Sequence, residues 1–220
     1  MPFTHLNIVQ PIELKTTEGY QGRFYHIEDK KYPSVTTILG SEKKLGLEQW
    51  RLSMGAAAAD KETTRCTDRG TAVHLMIEKW LQNDPNPTLG QQMIHISEFN
   101  SLKMHLRKID NIVLQEGALY SHILKTAGRV DCIAEYNKTL SIIDFKTSTN
   151  AKDYEKINDY FLQTTAYAWM FEEIYGIHID NIVIIMSIEK GIPLVFKEKT
   201  EQFLLPLCER INTYYNTKRV

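Results

Sequence analysis

Two carboxylates and an amine stand out in this sequence because two neighbouring strands would bring them together. Asp131 ends the segment Gly-Arg-Val-Asp (128–131), and Asp144 and Lys146 follow in Ile-Ile-Asp-Phe-Lys (142–146). Side chains on a strand alternate between faces, so Asp144 and Lys146 point to the same side, roughly 7 Å apart, and Phe145 to the other. Ionised groups at the end of an apolar run need a compensating partner, and a divalent ion supplies one. This layout is typical of a metal-dependent phosphodiesterase.

A simpler interpretation of Asp-x-Lys is a solvated strand end with a local ion pair. Three further features favour a site. Gly-Arg-Val-Asp lies at hairpin distance upstream, an earlier helix carries His74, and a later helix carries Gln163 and Tyr167. His74 and Glu78 are four residues apart and therefore share a helix face.

The elements that must position these residues follow from periodicity and turn signals. Residues 6–32 indicate short strands with a hairpin, and residues 33–39 open a helix or tight turn for which Ser34 is a candidate cap. Helical patterns are predicted at 47–59, 68–82, 91–109, 153–175 and 200–215, with Gly176 ending the fourth. Strands are predicted at 111–116, 119–125, 127–135, 140–146, 181–188 and 192–197. The order predicts an α/β fold with a mixed central sheet flanked by helices and an N-terminal helical elaboration.

Length and composition predict one domain over residues 1–220, with a hairpin and helical portion at 1–110 and a catalytic α/β core at 111–220. The formal net charge of -1 gives no global basic field, which counts against nucleic acid unless a groove is locally basic. The cysteines at 66, 132 and 208 are isolated. They indicate a reducing compartment and neither a disulfide framework nor a zinc cluster.

Targeting signals are not evident in the sequence. It has no apolar run of membrane-spanning length, and residues 1–11 lack both a signal-peptide core and the pattern of an organelle import sequence. We therefore expect a protein without a membrane segment, located in the cytoplasm of a bacterium or a phage-infected cell.

Five segments in order resemble the PD-(D/E)XK nuclease superfamily and, within it, the RecB-like nucleases. They are Pro-Ser-Val-Thr (33–36), Gly-Thr-Ala-Val-His (70–74), the segment from Gly128 to Tyr136, Ile-Asp-Phe-Lys-Thr-Ser (143–148) and Gln-Thr-Thr-Ala-Tyr (163–167). Within that branch the pattern is similar to the mitochondrial genome maintenance exonucleases and their phage and bacterial relatives. The resemblance implies a restriction-endonuclease-like core.

The same resemblance implies roles for individual residues. His74, Asp131 and Asp144 would be metal ligands, with the main-chain carbonyl of Phe145 completing the shell, and Lys146 would be the catalytic lysine. Gln163 and Tyr167 would line the site, and Glu116 lies where relatives carry an acidic residue. An iron–sulfur cluster is not expected, because the RecB-like nucleases that hold one need three cysteines near the C-terminus, where this chain has Cys208 alone.

Chemistry and resemblance together predict a metal-dependent DNA exonuclease that favours single strands with a free end, in replication, recombination or repair, with possible protein partners from those processes. Carboxylates suit Mg²⁺ or Mn²⁺, and an imidazole tilts the preference toward Mn²⁺. Lys146 would orient and help deprotonate the attacking water, or clamp a phosphate. Substrate contacts are expected from Thr147, Ser148 and Gln163, and from Ser34, Thr36 and Thr37 unless these only cap a helix.

Two alternatives remain at this point. A structure-specific endonuclease of the same superfamily would share every motif, although the chain shows no separate recognition domain. A non-catalytic DNA-binding module would keep the fold, but the intact Asp131, Asp144 and Lys146 argue against it.

Overall fold

The structure, a computed structural model, describes residues 2–218. It begins with a three-stranded antiparallel sheet: β1 (Lys15–Gly19), β2 (Gly22–Ile27) and β3 (Lys30–Pro33). Four helices follow: α1 (Val35–Gly40), α2 (Lys44–Met54), α3 (Ala56–Leu81) and α4 (Met93–Leu106). The remaining elements are β4 (Ile109–Ser121), β5 (Thr126–Tyr136), β6 (Thr139–Ser148), α5 (Asn158–Tyr175), β7 (Asn181–Ile188), β8 (Leu194–Lys199) and α6 (Glu201–Thr217).

The central sheet has five strands in the order β4-β5-β6-β7-β8. β6 and β7 are parallel and joined through α5, whereas the other neighbours are antiparallel. The predicted α/β fold with a mixed sheet is therefore confirmed. Among the described residues, no helix is long and apolar enough to cross a membrane.

Helices cover both faces of this sheet. On one face α1, α5 and α6 enclose a core that includes Phe161 and Phe171. On the other face α3 and α4 enclose a second core with Met76 and Phe99. The alternation along β6 serves both layers, because Ile142 belongs to the first core and Phe145 to the second.

The sheet opens where the site residues lie. The β5–β6 ladder ends at the Cys132–Ile143 pair. Beyond it β5 stays paired with β4, and β6 stays paired with β7 from Asp144 to Ser148. The two strands therefore separate beside Asp131 and Asp144, and side chains from either sheet face can reach the gap.

Several boundaries differ from the sequence prediction. The two strands expected at 111–116 and 119–125 form a single strand, because Gly117 pairs with Val130 and the ladder continues through the apparent break. The helix expected at 91–109 ends at Leu106, since Ile109 already pairs with Tyr136. The helices expected at 47–59 and 68–82 divide at Gly55, whose φ of 81° interrupts the helix, and α3 runs on from Ala56.

Candidate active site

Helix α3 contributes His74 to the gap between the strands. The imidazole lies edge-on to Phe145, with 6.3 Å between ring centroids. Its Nδ1 is 3.8 Å from Asp131 Oδ2. Val73, Met76 and Ile77 are buried on the same helix and fix the side that faces the sheet. His74 is thereby held beside the gap between β5 and β6, partly exposed, rather than within the core.

Glu116 completes a group of three possible metal ligands. One donor atom each from His74, Glu116 and Asp131 lie within 4.8 Å of one another. Glu116 and Asp131 lie between the paired residues Gln115–Cys132 and Gly117–Val130 of β4 and β5. Glu116 has a φ of 49°, which is strained for a side chain of this size. Burial, followed by the charge of Asp131, raises the pKa of Glu116 to about 8. Two adjacent carboxylates are unfavourable unless a proton or a cation separates their charges.

Asp144 and Lys146 form a buried pair on β6. Asp144 is completely buried, and its Oδ2 lies 2.5 Å from Lys146 Nζ. The contact lacks hydrogen-bond geometry, and neither oxygen of Asp144 has a hydrogen-bond partner among the described residues. Burial raises the pKa of Asp144 to about 6, against the opposing effect of Lys146. Burial lowers the pKa of Lys146, but Asp144 and Asp131 outweigh it, so the net shift is upward.

Asp131 is tied to β6 through the backbone. Its Oδ2 accepts a hydrogen bond of 2.8 Å from the Phe145 N–H. This bond crosses the gap just beyond the end of the β5–β6 ladder. It orients one carboxylate oxygen and couples the position of Asp131 to that of Asp144.

Helix α5 closes the opposite side with Gln163 and Tyr167. Gln163 Nε2 donates to Tyr167 Oη at 3.1 Å, and both side chains are buried. A Cβ at position 128 would lie 2.5 Å from Tyr167 Cε1, which explains the glycine of Gly-Arg-Val-Asp. Burial holds the pKa of Tyr167 well above its ordinary value, so the phenol stays neutral.

The side-chain hydroxyls of Ser34, Thr36 and Thr37, predicted to contact substrate, hydrogen-bond with groups of the protein itself. Ser34 caps α1 by accepting from the Thr37 N–H at 3.0 Å, and its Oγ lies within 2.9 Å of both threonine hydroxyls. Thr37 Oγ1 in turn accepts from the backbone N–H of Arg23 at 3.0 Å. These residues therefore position Arg23, which lines a cavity of about 590 Å³ together with His74, Glu116 and Asp131.

Arg23 was not predicted as a site residue, because its proximity depends on how the small sheet packs against the large one. The predicted substrate residues Thr147 and Ser148 lie at the end of β6 on the wall of a second cavity of about 980 Å³. Ser148 Oγ donates to the carbonyl of Asn150 at 2.7 Å.

A buried charge network, also not predicted, holds α3 in place. Arg69 is 4% exposed and donates to Glu189 at 2.7 Å, and its Nε lies 3.9 Å from a carboxylate oxygen of Glu98. Glu98 accepts from Ser187 on β7 at 2.6 Å. Arg69 precedes Val73 by four residues on the core side of α3, and a cation on an apolar stripe is the signal that would have identified it.

Comparison with known proteins finds a similar family. Residues 98–189 match the model of the PD-(D/E)XK nuclease superfamily. This part of the chain is therefore similar to a PD-(D/E)XK nuclease domain. The matched range includes Glu116, Asp131, Asp144 and Lys146, whereas His74 precedes it and is included by geometry alone.

The relatives found are exonucleases. The chain is 28% identical to the mitochondrial genome maintenance exonuclease 1 of Mus musculus over 178 residues, covering 76% of this chain and 53% of that protein. The Xenopus tropicalis protein of the same name is 28% identical, covering 76% and 52%, and the Homo sapiens protein 26%, covering 73% and 50%. This chain thus spans about half the length of these relatives. A crystal structure from Eubacterium rectale, provisionally named an exonuclease, is similar with a TM-score of 0.44 at 10% identity over 68% of each chain.

Proposed function

We propose that this chain is a divalent-metal-dependent nuclease that hydrolyses DNA from a free end. The observation that carries the proposal is the cluster of His74, Glu116 and Asp131 beside the buried Asp144–Lys146 pair. The nuclease domain match and the exonuclease relatives support the reaction class.

The residues present suit Mg²⁺ or Mn²⁺. The adjacent carboxylates of Glu116 and Asp131 need positive charge between them, and Asp144 Oδ1 has no partner, whereas Oδ2 lies beside Lys146. His74, Glu116, Asp131 and Asp144 would hold the ion with the carbonyl of Phe145, and the imidazole favours Mn²⁺ among the two. A bound ion would neutralise charge on the phosphoryl oxygens and lower the pKa of an attacking water.

The chain's own groups complete the chemistry. Lys146 Nζ is held beside Asp144 at the mouth of the gap, where it would orient the attacking water or contact the scissile phosphate. Tyr167 and Gln163 fix the wall opposite α3 and keep it neutral, so they add no charge that would repel a phosphate. Arg23 supplies a cation at the rim of the pocket, although its Nε also donates a hydrogen bond of 2.8 Å to Glu18.

Single-stranded DNA with an end is the substrate we propose. The relatives are named exonucleases, and α2 and α3 stand beside the site as one wall of the larger cavity. A flexible single strand enters such a walled site more readily than a stiff duplex. We further propose that residues 1–110 and 111–220 act as one nuclease unit, and that the enzyme serves replication, recombination or repair.

A cleavage assay on linear and circular DNA distinguishes the proposed exonuclease from the endonuclease alternative. For the exonuclease, linear single-stranded DNA labelled at either end should be degraded to short products with Mg²⁺ or Mn²⁺, blunt duplex should react slowly, and a closed circular single strand should survive. A chelator should stop the reaction, and Ca²⁺ should support binding with little cleavage because its looser shell positions water poorly. Rapid nicking of the circle would establish the endonuclease, and activity undiminished by the chelator would refute the metal mechanism.

A further inference from the structure

The cavity of about 980 Å³ has two chemically different walls. Trp50 and Met54 of α2 form an apolar side, on which Trp50 is half-buried and Met54 is 42% exposed. The opposite side consists of the segment 147–152 and Lys156, which present hydroxyl, amide and ammonium groups. An aromatic ring facing polar and cationic groups is the arrangement by which proteins hold single-stranded nucleic acid.

The cavity adjoins the catalytic groups directly. Thr147 on its wall follows Lys146 in β6. Gly70 lines the cavity of about 590 Å³ beside His74 and Asp131, which we call the metal pocket. A Cβ built on Gly70 would lie 3.5 Å from Thr147 Oγ1, an ordinary contact distance. The two cavities therefore meet at Gly70 and Thr147, so a chain whose phosphate occupies the metal pocket has its next nucleotides beside the larger cavity.

Local charge favours a polyanion even though the whole chain is slightly acidic. Of the four charged residues described on the cavity lining, Arg69 is buried against Glu189 and Glu62 is paired with Arg65 at 2.7 Å. The two that remain, Lys152 and Lys156, are both basic. Lys152 Nζ donates one hydrogen bond to Tyr160 at 2.8 Å, which leaves two of its three N–H donors for a ligand.

Lys156 is also available to a ligand. It pairs with Asp153 at 3.0 Å, and both side chains of this ion pair are more than half exposed. Such pairs contribute little, so a phosphate can displace the carboxylate.

We propose that this cavity binds the single-stranded part of the substrate, with one base stacked on Trp50 and a phosphate between Lys152 and Lys156. The site rests on the proposed nuclease function and identifies where the strand lies next to the scissile bond. Stacking on Trp50 requires an unpaired base, because the bases of a duplex already stack on one another and present no free face.

Intrinsic fluorescence tests this placement without catalysis. The chain has three tryptophans. Trp80 packs against Phe3 and Phe99, and Trp169 donates to Glu173 at 3.2 Å, so both are engaged away from the cavity lining. In chelator, a thymidine homopolymer should quench the emission of the protein, and Trp50→Phe should lose this quenching while Trp80 and Trp169 still emit.

The affinity of Trp50 variants for the oligonucleotide shows whether Trp50 stacks on a base or only packs within the protein. Trp50→Phe should bind the oligonucleotide nearly as well as wild type, whereas Trp50→Leu and Trp50→Ala should bind about tenfold more weakly, the size of one base-stacking contact. Leu52→Ala is the matched control, since Leu52 lies on the same helix, is 83% exposed and does not line the cavity. A uridine homopolymer tests whether RNA serves equally, and a blunt duplex should leave Trp50 emission unchanged.

The outcomes separate this site from the proposed function. If wild type cleaves DNA but the homopolymer neither quenches Trp50 nor distinguishes Trp50→Leu from Leu52→Ala, the cavity assignment is overturned and the nuclease proposal stands. Quenching of Trp50 by the duplex as strongly as by the single strand would also overturn it. If wild type quenches with the homopolymer but cleaves nothing with Mn²⁺, the nuclease proposal fails and the binding site remains.

Discussion

At the scale of single residues, the proposed site separates metal ligands from a catalytic amine, and the two roles predict different effects of substitution. Asp131→Asn and Asp144→Asn should abolish cleavage together with Mn²⁺ binding, because each removes a charged oxygen donor. Lys146→Ala should lower cleavage by at least about 100-fold and still bind Mn²⁺. Calorimetric titration with Mn²⁺ beside an end-labelled cleavage assay measures both effects. Asp180→Asn, at an exposed carboxylate paired with His178, is the control, and wild-type cleavage in any of the three site variants would refute the assignment.

The pKa of Glu116 makes stability depend on pH. Its value of about 8 in the folded protein exceeds the ordinary 4.5, because of burial first and the charge of Asp131 second. The folded state therefore binds a proton that the unfolded chain releases. This stabilisation is complete below about pH 4.5 and is lost as the pH rises through about 8.

We therefore expect metal-free protein to lose thermal stability over this range. Glu116→Gln mimics the protonated form, so the melting temperature of the variant should fall less with rising pH. At pH 8 it should exceed that of the wild type, while Mn²⁺ binding should be weaker. Asp144, with a pKa of about 6, would account for a smaller part of the loss that persists in the variant. Thermal unfolding in chelator at several pH values measures the effect, and identical profiles for wild type and Glu116→Gln would contradict it.

At the scale of elements, α3 is held by the Arg69 network rather than by apolar packing alone. Arg69→Ala leaves the buried Glu98 without its cation, whereas the partly exposed Glu189 keeps Arg65, and we expect a loss of about 3 kcal/mol of unfolding free energy. Arg51→Ala is the control, because the Arg51–Asp60 ion pair is exposed and should cost less than about 1 kcal/mol. Urea unfolding compares them, and equal losses would show that the network contributes no more than a surface pair.

The contact between β5 and α5 depends on a missing side chain. Gly128→Ala would place Cβ 2.5 Å from Tyr167 Cε1, so the ring must move and its hydrogen bond from Gln163 must change. We expect reduced cleavage with Mn²⁺ binding largely kept. Gly40→Ala has open space around its Cβ and should behave as wild type. Full activity of Gly128→Ala would show that Tyr167 is not required in its present position.

At the scale of the whole molecule, the formal net charge of -1 gives the chain no long-range attraction for nucleic acid. Binding must then depend on the few basic groups at the cavity. With Lys152 and Lys156 as the basic residues on the lining that are not buried, the logarithm of the affinity for single-stranded DNA should fall with the logarithm of salt concentration with a slope of about -1.4. Lys152→Gln should make the slope shallower by roughly 0.7. A much steeper slope would show that phosphates contact other basic surfaces.

Local sequence determined β5 and β6, the strands that carry the proposed site residues. Apolar alternation with turn residues at 136–138 was sufficient for the β5–β6 hairpin, and Ser34 was identifiable as a helix cap because it acts within one turn. Asp131, Asp144 and Lys146 could be named for the same reason. Their proximity follows from strand register and the two-residue repeat.

Tertiary structure alone decided what surrounds those strands. Arg23 reaches the pocket because the N-terminal sheet packs against the central one. Trp50 reaches the cavity because α2 packs against α3, across the cavity from the end of β6. Glu98 and Arg69 lie together because α3, α4 and β7 pack side by side. No local pattern encodes such contacts, since they depend on how the elements pack and on the balance of burial and charge pairing across the whole fold.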